Sequence, residues 1–455
     1  MEADARRANR LKHAAALWSR YIDSSSARQL DRWLSETLRA EKRFGSQDRR
    51  FYSDVLFAAA RWVMLGMFLE HVRCGVRQFC AQSDDSKNQQ LRSFCAANST
   101  EDQLWSSVRN LPPAKLVELT QALADDNSPL RLELDSAISS VAAKAEWRDE
   151  DYSFMLVLHG IPPEWSSSLQ RRRSVSGWSQ DEVIRFLRAQ NERPPLWIRL
   201  NQPSAREQLE KEFAQHGLLV EWTEDTENCA AVSGNFGVYQ TVSFQKGLFE
   251  VQDWASQQIA TTVDARAGQK IWDACAGGGG KSVAIASALQ GKGALYASDI
   301  REHKLSEAKH RCQRAGFHNI RTLVWDGVTA PQFGREVFLQ AGFDSVLVDA
   351  PCSSSGTWRR NPDARLRIAS RESRESLYAL QRQLLANAAR HVRRGGRLVY
   401  GTCSWCVEEN EDVFTAVLET LQAVRRSEST MKLVGAPSVN SDTMFAAAIQ
   451  FSVEM

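Results

Sequence analysis

Two short segments hold the residues best suited to covalent chemistry. Asp349-Ala350-Pro351-Cys352-Ser353 follows an apolar run, 344–349, that reads as a buried strand. Thr402-Cys403-Ser404-Trp405-Cys406 follows a second such run, 397–402. If these strands are neighbours in a doubly wound sheet, their ends share one crevice, and two thiols converge there beside the Asp349 carboxylate. Cys403 also precedes a helix expected from about residue 408, and a helix N-terminus favours the reactive thiolate.

Such a trio fits chemistry on a pyrimidine ring. Carbon 5 of cytosine is a poor nucleophile, but a thiolate added at carbon 6 makes it electron-rich enough to accept a methyl group. Asp349, protonated or as acceptor from the N4 amine, would help balance charge developing at N3. A base then removes the carbon 5 proton and the thiolate leaves. Cys403 and Cys406 also have Cys-x-x-Cys spacing. A zinc site would need a second such pair, which the chain lacks, so no metal is expected. The same pair is close enough in sequence to cross-link under oxidant. Cys74, Cys80, Cys95, Cys229 and Cys312 read as small buried apolar residues.

A cofactor loop lies upstream. Asp273 and Ala274 lead into Cys275-Ala276-Gly277-Gly278-Gly279-Gly280-Lys281, ahead of a helix expected over 282–289. Glycines let the backbone approach a ligand, and a helix start offers free amides. A phosphate-binding loop would need glycine at position 275, which is cysteine, and a dinucleotide fingerprint would need glycine at 282, which is serine. A methyl-donor site needs only the tight turn and two acids downstream. Asp299, ending the run 294–299, is placed for ribose hydroxyls, and Asp326, after 320–324, for adenine or its ribose. A glycine turn without a ligand is the plain alternative.

The elements that must position these loops form three parts. Residues 1–160 read as all-helical, with Leu11, Ala15, Trp18 and Ile22 on one face and Leu30, Trp33, Leu34 and Leu38 on another; Ser46 reads as a helix cap and 82–102 as a polar loop. Residues 161–249 read as a basic helical connector containing Arg171, Arg172 and Arg173, then a small α/β module with strands near 196–200 and 218–220 around a helix, 205–216. Residues 250–455 alternate strand and helix, which argues a parallel, doubly wound sheet. The net charge of +2 announces no nucleic-acid partner by bulk, so a basic footprint must be local. Nine cysteines, an odd number, without a secretory leader at the start fit a reducing, cytoplasmic setting. The most apolar stretch, 55–69, is short and interrupted by Arg61, so it reads as a buried helix and no membrane partner is expected.

From Asn191 onward the chain resembles the Nop/Sun-type RNA cytosine-5 methyltransferases. The matching stretches are 191–201 (Asn-Glu-Arg-Pro-Pro-Leu-Trp-Ile-Arg-Leu-Asn), Val251-Gln252-Asp253, the glycine loop, 349–363 from Asp349 through Gly356 to Asp363, and Tyr400-Gly401-Thr402-Cys403-Ser404 with Glu408-Glu409-Asn410. The layout is most similar to the bacterial small-subunit ribosomal RNA branch, which carries a NusB-like helical domain; 45–62 resembles part of it. The resemblance implies a class I S-adenosylmethionine-dependent methyltransferase fold, Rossmann-like, with a small RNA-binding module and an N-terminal helical domain. It implies S-adenosyl-L-methionine as cofactor and RNA, ribosomal RNA in this branch, as partner. Cys403 would be the nucleophile, Cys352 would assist release, and Asp349 would contact the cytosine. The loop 275–281, Asp299, Asp326 and Asp349 would line the donor site, with Lys281 matching a family lysine or else sitting solvated at the helix start. Arg359, Arg360, Arg171, Arg172 and Arg173 are expected phosphate contacts. The family usually has Ala-Pro where this chain has Gly277-Gly278, a loss that frees the unbound loop and leaves its effect on donor affinity open.

Other functions remain in view. A non-catalytic RNA-binding or ribosome-assembly protein would have no need of both cysteines, Asp349 and the ribose acid. A DNA cytosine methyltransferase would use the Pro-Cys thiol, Cys352, alone. Cys403→Ser should abolish turnover while leaving donor binding intact, because a hydroxyl is far less ionised than a thiol near neutral pH. Methyl incorporation and donor titration measure the two; substantial residual turnover removes Cys403 as nucleophile.

Overall fold

The computed structural model describes residues 2–24, 29–224, 226, 228–333, 342–367, 371–421 and 429–452. Two compact units divide the chain: residues 1–193 with 357–375, and residues 194–356 with 376–455.

The first unit is helical. Helices Glu2–Asp23, Leu30–Ala40 and Ser46–Val72 bury Trp18, Tyr21, Trp33, Leu34, Val63 and Phe68 in one core. Helix Ser46–Val72 is long and apolar enough to cross a membrane by length and composition. Its residues Val55, Leu56, Ala59, Ala60, Val63 and Met64 instead fill this core. Gly45, rather than Ser46, occupies its N-cap position.

The expected loop over 82–102 is two helices. Ser83 caps Asp84–Ala97 by accepting from the Ser86 amide, and Thr100 forms a capping box with Gln103 ahead of Glu101–Asn110. The polar residues that suggested a loop are these caps and an exposed helix face, while Leu91 and Phe94, three apart, face the core. The basic connector also belongs to this unit, as helices Ser166–Ser176 and Gln180–Ala189. By contacts the chain divides between Arg193 and Pro194, and the segment 357–375 is counted with the helices.

The second unit holds both sheets. Strands β1 (Leu196–Leu200), β2 (Leu219–Trp222), β3 (Cys229–Ser233) and β4 (Phe249–Val251) form an antiparallel sheet in the order β2-β3-β1-β4. Strands β5 (Lys270–Asp273), β6 (Ala294–Asp299), β7 (Ile320–Val324), β8 (Phe343–Asp349), β9 (Val392–Thr402), β10 (Ser429–Val434) and β11 (Met444–Gln450) form the large sheet, ordered β10-β11-β9-β8-β5-β6-β7. From β9 through β7 every pairing is parallel, while β10 and β11 add antiparallel at the other edge.

Burial explains which strands were legible. All six residues of β6 are buried, as expected for a strand covered on both faces. Ile271 of β5 packs with Val283, Ala286 and Leu289 of helix Gly280–Leu289, and Trp272 packs on the opposite face with Leu384, Leu385 and Ala388 of helix Arg371–Ala389. The sequence reading missed β3, β4 and β10: β3 is made of small residues, β4 has three residues, and β10 is an edge strand with four exposed positions. Chain order runs outward from β5 in both directions, to β6 and β7 on one side and β8 and β9 on the other. The topological switch, where such folds bind ligands, lies at the carboxyl ends of β5 and β8.

Arg365 is a staple inside the helical unit. Its fully buried guanidinium donates to the carbonyls of Arg61 (3.1 Å) and Gln190 (2.5 Å) and to Asn191 Oδ1 (3.0 Å), with a longer contact to the His159 carbonyl (3.4 Å). Arg365→Ala should destabilise this unit by about 3 kcal/mol, since several buried acceptors lose their donor together. Urea unfolding followed by tryptophan fluorescence measures it; an unchanged midpoint would show that the staple contributes nothing.

Candidate active site

β8 and β9 pair in parallel with Asp349 opposite Gly401, and the Ala350 amide donates to the Gly401 carbonyl at 2.9 Å. Their two loops leave the sheet side by side, and the Cys352 and Cys403 sulfurs stand 3.1 Å apart. Gly356 completes the join. Its amide donates to the Cys403 carbonyl at 3.0 Å, and a β-carbon there would fall 1.6 Å from the Thr443 carbonyl oxygen, so no other residue fits.

The two thiols differ in their ionisation. Cys403 is held below the usual thiol range: the hydrogen bond from Cys352 is the largest cause, burial opposes it, and Ser354 and the Lys281 cation assist. Cys352 is pushed well up by its hydrogen bond to Cys403, by burial and by the negative charges of Cys403 and Glu409. Cys403 is thus the thiol that gives up its proton more readily, and Cys352 the one that holds it. The expected helix dipole is not the cause, because the following helix starts only at Glu411. Cys406 does not approach Cys403; its sulfur is buried against Ser355 Oγ at 3.6 Å. The oxidation partner expected in sequence, Cys406, is therefore replaced by Cys352.

Asp349 carries an ion pair with Lys281, Nζ to Oδ2 2.7 Å, with the lysine side chain 11% exposed. Burial works against the Lys281 charge, but Asp349 outweighs it and raises the lysine above its ordinary value. Of the alternatives for Asp349, the ion pair favours the acceptor. Lys281 is not a solvated helix-start residue.

The glycine loop is drawn tight over the ends of β5 and β6. The Gly277 amide donates to Asp299 Oδ2 at 3.0 Å, Ala276 to the Ser298 carbonyl at 2.8 Å, and Arg311 to the Gly278 carbonyl at 2.8 Å. Gly277 has φ +52° and Gly279 φ +84°, backbone that side chains rarely adopt. The loop that lacks the proline is thus held by β6 and by Arg311 of the helix that follows it. Half-buried Cys275 is pushed well up in pKa by desolvation. Asp273, which starts the loop, is lifted to about 7 by burial, against the Ser282 hydroxyl that donates to it at 2.6 Å.

Asp299 is nearly buried at the end of β6 and takes the Arg301 amide and guanidinium on the same carboxylate, at 2.9 to 3.1 Å. Burial opposes its charge, yet the Arg301 hydrogen bonds and the Gly277 amide hold the carboxyl below its usual range. Asp326 is exposed after β7 and folds its own turn, with Oδ1 accepting from the amides of Val328 and Thr329.

The expected arginine contacts divide. Arg171 is exposed, but Arg172 is buried and donates to Ser176 Oγ at 3.3 Å, and Arg173 reaches the Trp178 carbonyl, the Tyr152 hydroxyl and the Trp147 ring. Arg359 is buried with Nε on the Glu192 carbonyl at 3.0 Å; Arg360 is half-buried. Arg172 and Arg359 are therefore packing residues, since a phosphate cannot reach a guanidinium enclosed by protein. The run of three arginines on a helix spreads its members around the axis, one outward and one inward. No group of three or more metal-ligating side chains exists among the described residues. A cavity of about 810 Å³ in the same unit, bordered by Arg199, Asn201, Gln257 and Gln290, includes neither thiol.

Sequence reasoning named Glu409 only through the resemblance. The structure buries it beneath both cysteine loops, where it accepts from Ser353, Ser404 and Gln381. A lone acid between two strand-end motifs carries no spacing signal that would have revealed this.

The short sulfur–sulfur approach has a chemical consequence. Hydrogen peroxide should oxidise Cys403 to a sulfenic acid, which the Cys352 thiol displaces to give a Cys352–Cys403 disulfide and water. Activity should fall and return with dithiothreitol, and peptide mapping should find this linkage rather than Cys403–Cys406. A Cys403–Cys406 peptide, or unlinked sulfinic acid alone, counts against it.

Comparison with known proteins follows this geometry. Residues 260–448 match the family described as 16S rRNA methyltransferase RsmB/F. The chain is 32% identical over 295 residues to "Ribosomal RNA small subunit methyltransferase B" of Enterobacter sp. (strain 638), covering 64% of this chain and 63% of that one. It is 33% identical over 227 residues to "Probable ribosomal RNA small subunit methyltransferase B" of Bacillus subtilis (strain 168), covering 50% and 49%. The matches thus span less than two thirds of the length of these relatives. Among solved structures, PH0851 aligns with a TM-score of 0.62 at 22% identity over 91% of this chain and 93% of its own. NSun6 from Pyrococcus horikoshii with SFG aligns at 0.52 and 18% over 63% and 98%. These likenesses are of fold, and the fold is that of class I S-adenosylmethionine-dependent methyltransferases. Over residues 260–448 the chain is thus similar to the RsmB/F methyltransferase family.

Proposed function

We propose that this protein methylates carbon 5 of a cytosine in RNA, specifically small-subunit ribosomal RNA, through a covalent adduct to Cys403. The observation that carries the reading is the pair of thiols 3.1 Å apart at adjacent strand ends, in the same unit as the Lys281–Asp349 ion pair. Similarity to the RsmB/F family over residues 260–448 supports the RNA substrate, and free cysteines fit a cytoplasmic setting.

The donor site suits S-adenosylmethionine. The glycine turn carries no side chains of its own, and Asp299 and Asp326 stand at the ends of neighbouring strands. The Asp299 carboxylate is where a ribose diol would bind, taking the place of the Arg301 guanidinium, whose side chain is 55% exposed and so has room to leave. When bound, the cofactor supplies the methyl group. The Cys403 thiolate adds to carbon 6 of the ring, and the ring's electron pair moves toward N3 and carbon 5. Asp349 accepts from the N4 amine, and Lys281 holds Asp349 in place. After methylation a base takes the carbon 5 proton, the ring double bond re-forms and Cys403 is expelled as thiolate. Cys352 is the candidate to assist that release, since its proton-bearing sulfur touches the Cys403 sulfur.

Cys352→Ala should accumulate a covalent protein–RNA adduct, seen as a slow, nuclease-sensitive band on a denaturing gel, because addition through Cys403 survives and release does not. A variant that turns over like wild type and leaves no adduct would refute the two-cysteine scheme. Bisulfite mapping of ribosomal RNA from cells with and without the gene identifies the substrate; no methylated cytosine lost on deletion would refute the RNA assignment.

A further inference from the structure

Glu409 lies beneath both cysteine loops. It is 1% exposed, and its carboxylate accepts from the Ser353 amide (2.8 Å), the Ser353 hydroxyl, the Ser404 hydroxyl (2.8 Å) and Gln381 Nε2 (3.0 Å). Ser353 directly follows Cys352, and Ser404 directly follows Cys403. Gln381, from helix Arg371–Ala389, also donates to the Pro351 carbonyl at 2.9 Å, on the other side of Cys352. Asn410 reinforces the second loop, donating to the Ser404 carbonyl at 3.0 Å and accepting from the Thr402 hydroxyl. The Tyr400 hydroxyl fixes Glu409 itself, donating to its carbonyl at 2.6 Å. A buried carboxylate with this many donors is retained because its removal leaves all of them unmade.

We propose that Glu409 is a positioning residue: one carboxylate binds the residue after each active-site cysteine, fixing the two sulfurs in contact and keeping the proton on Cys352 and the negative charge on Cys403. This inference rests on the two-cysteine reading for its catalytic meaning, but the arrangement it describes stands without RNA. The groups acting on Cys352 are Cys403, Glu409 and the Ser354 backbone; those acting on Cys403 are Cys352, Ser354, Asp349 and Lys281. The hydrogen bond between the two sulfurs is the largest influence on both. Burial pushes the Glu409 carboxyl up, against the Ser353, Ser404 and Gln381 donors that favour its charge; once ionised it opposes a second negative charge on Cys352, while on Cys403 the Asp349 carboxylate and the Lys281 cation act in opposite directions. Glutamine has one acceptor oxygen where glutamate has two, and its amide would turn a donor toward another donor.

The test uses the full chain without RNA or methyl donor, so its outcome is independent of the substrate assignment. Iodoacetamide labelling across pH 5.5 to 9.5, read by mass spectrometry of peptides, gives the reactivity of each cysteine, with buried Cys312 and Cys406 reporting loss of packing. Wild type should label Cys403 well before Cys352. In Glu409→Gln the midpoint for Cys352 should fall by about one pH unit and the preference for Cys403 should shrink roughly tenfold, with Cys312 and Cys406 still protected. An unchanged preference with those two protected overturns the proposal. Should Glu409→Gln expose Cys312 and Cys406, Gln381→Met decides, since it removes the donor shared by the Glu409 carboxylate and the Pro351 carbonyl without altering a residue of either cysteine loop: a severalfold loss of preference upholds the proposal and an unchanged one overturns it.

Discussion

The parallel pairing of β8 with β9 is the constraint on which the site depends. Two strands distant in sequence deliver one cysteine each, and only their register, Asp349 opposite Gly401, brings the sulfurs into contact. A shift of one residue would turn alternate side chains to the opposite face and separate them. Gly401 and Gly356 show how closely the loops are pressed: a β-carbon on Gly401 would meet Ile259, and one on Gly356 would overlap the Thr443 carbonyl. The packing leaves no slack for the thiols to drift apart.

Within that frame, charge decides what each group does. Lys281 faces Asp349, and Glu409 lies beneath the loops. Burial alone raises every thiol; Cys406, Cys312 and Cys229 are all pushed up by it. Cys403 departs from them first through its hydrogen bond with Cys352 and then through that with Ser354, with Asp349 and Lys281 acting in opposite directions. The nucleophile is therefore distinguished by its neighbours rather than by exposure.

The helical unit uses the same economy with arginine. Arg365 donates to carbonyls and an amide oxygen, so backbone dipoles hold its charge. Arg359 likewise ties to the Glu192 carbonyl, and Arg61 to that of Arg359. A planar guanidinium with five donors suits such a task, which lysine could not perform. Runs of basic residues that read as an RNA footprint are thus partly structural cement.

The sequence by itself determined the alternating architecture of the catalytic unit, because strands covered on both faces must be apolar and the helices between them must carry one apolar face. It also determined the chemical inventory: two cysteines after strand ends, Asp349, the glycine turn, and Asp299 and Asp326, each at a boundary where periodicity stops. What it left open depended on neighbours distant in the chain. That Cys352 rather than Cys406 partners Cys403 follows from strand order. That Arg172 and Arg359 are buried follows from which helix face meets the core, and that Ser83 and Thr100 cap helices follows from Leu91, Phe94, Leu104 and Trp105 finding a core to enter. The role of Glu409 was decided by tertiary structure alone, since a carboxylate becomes a tether only when folding removes water and brings its donors from three separate segments.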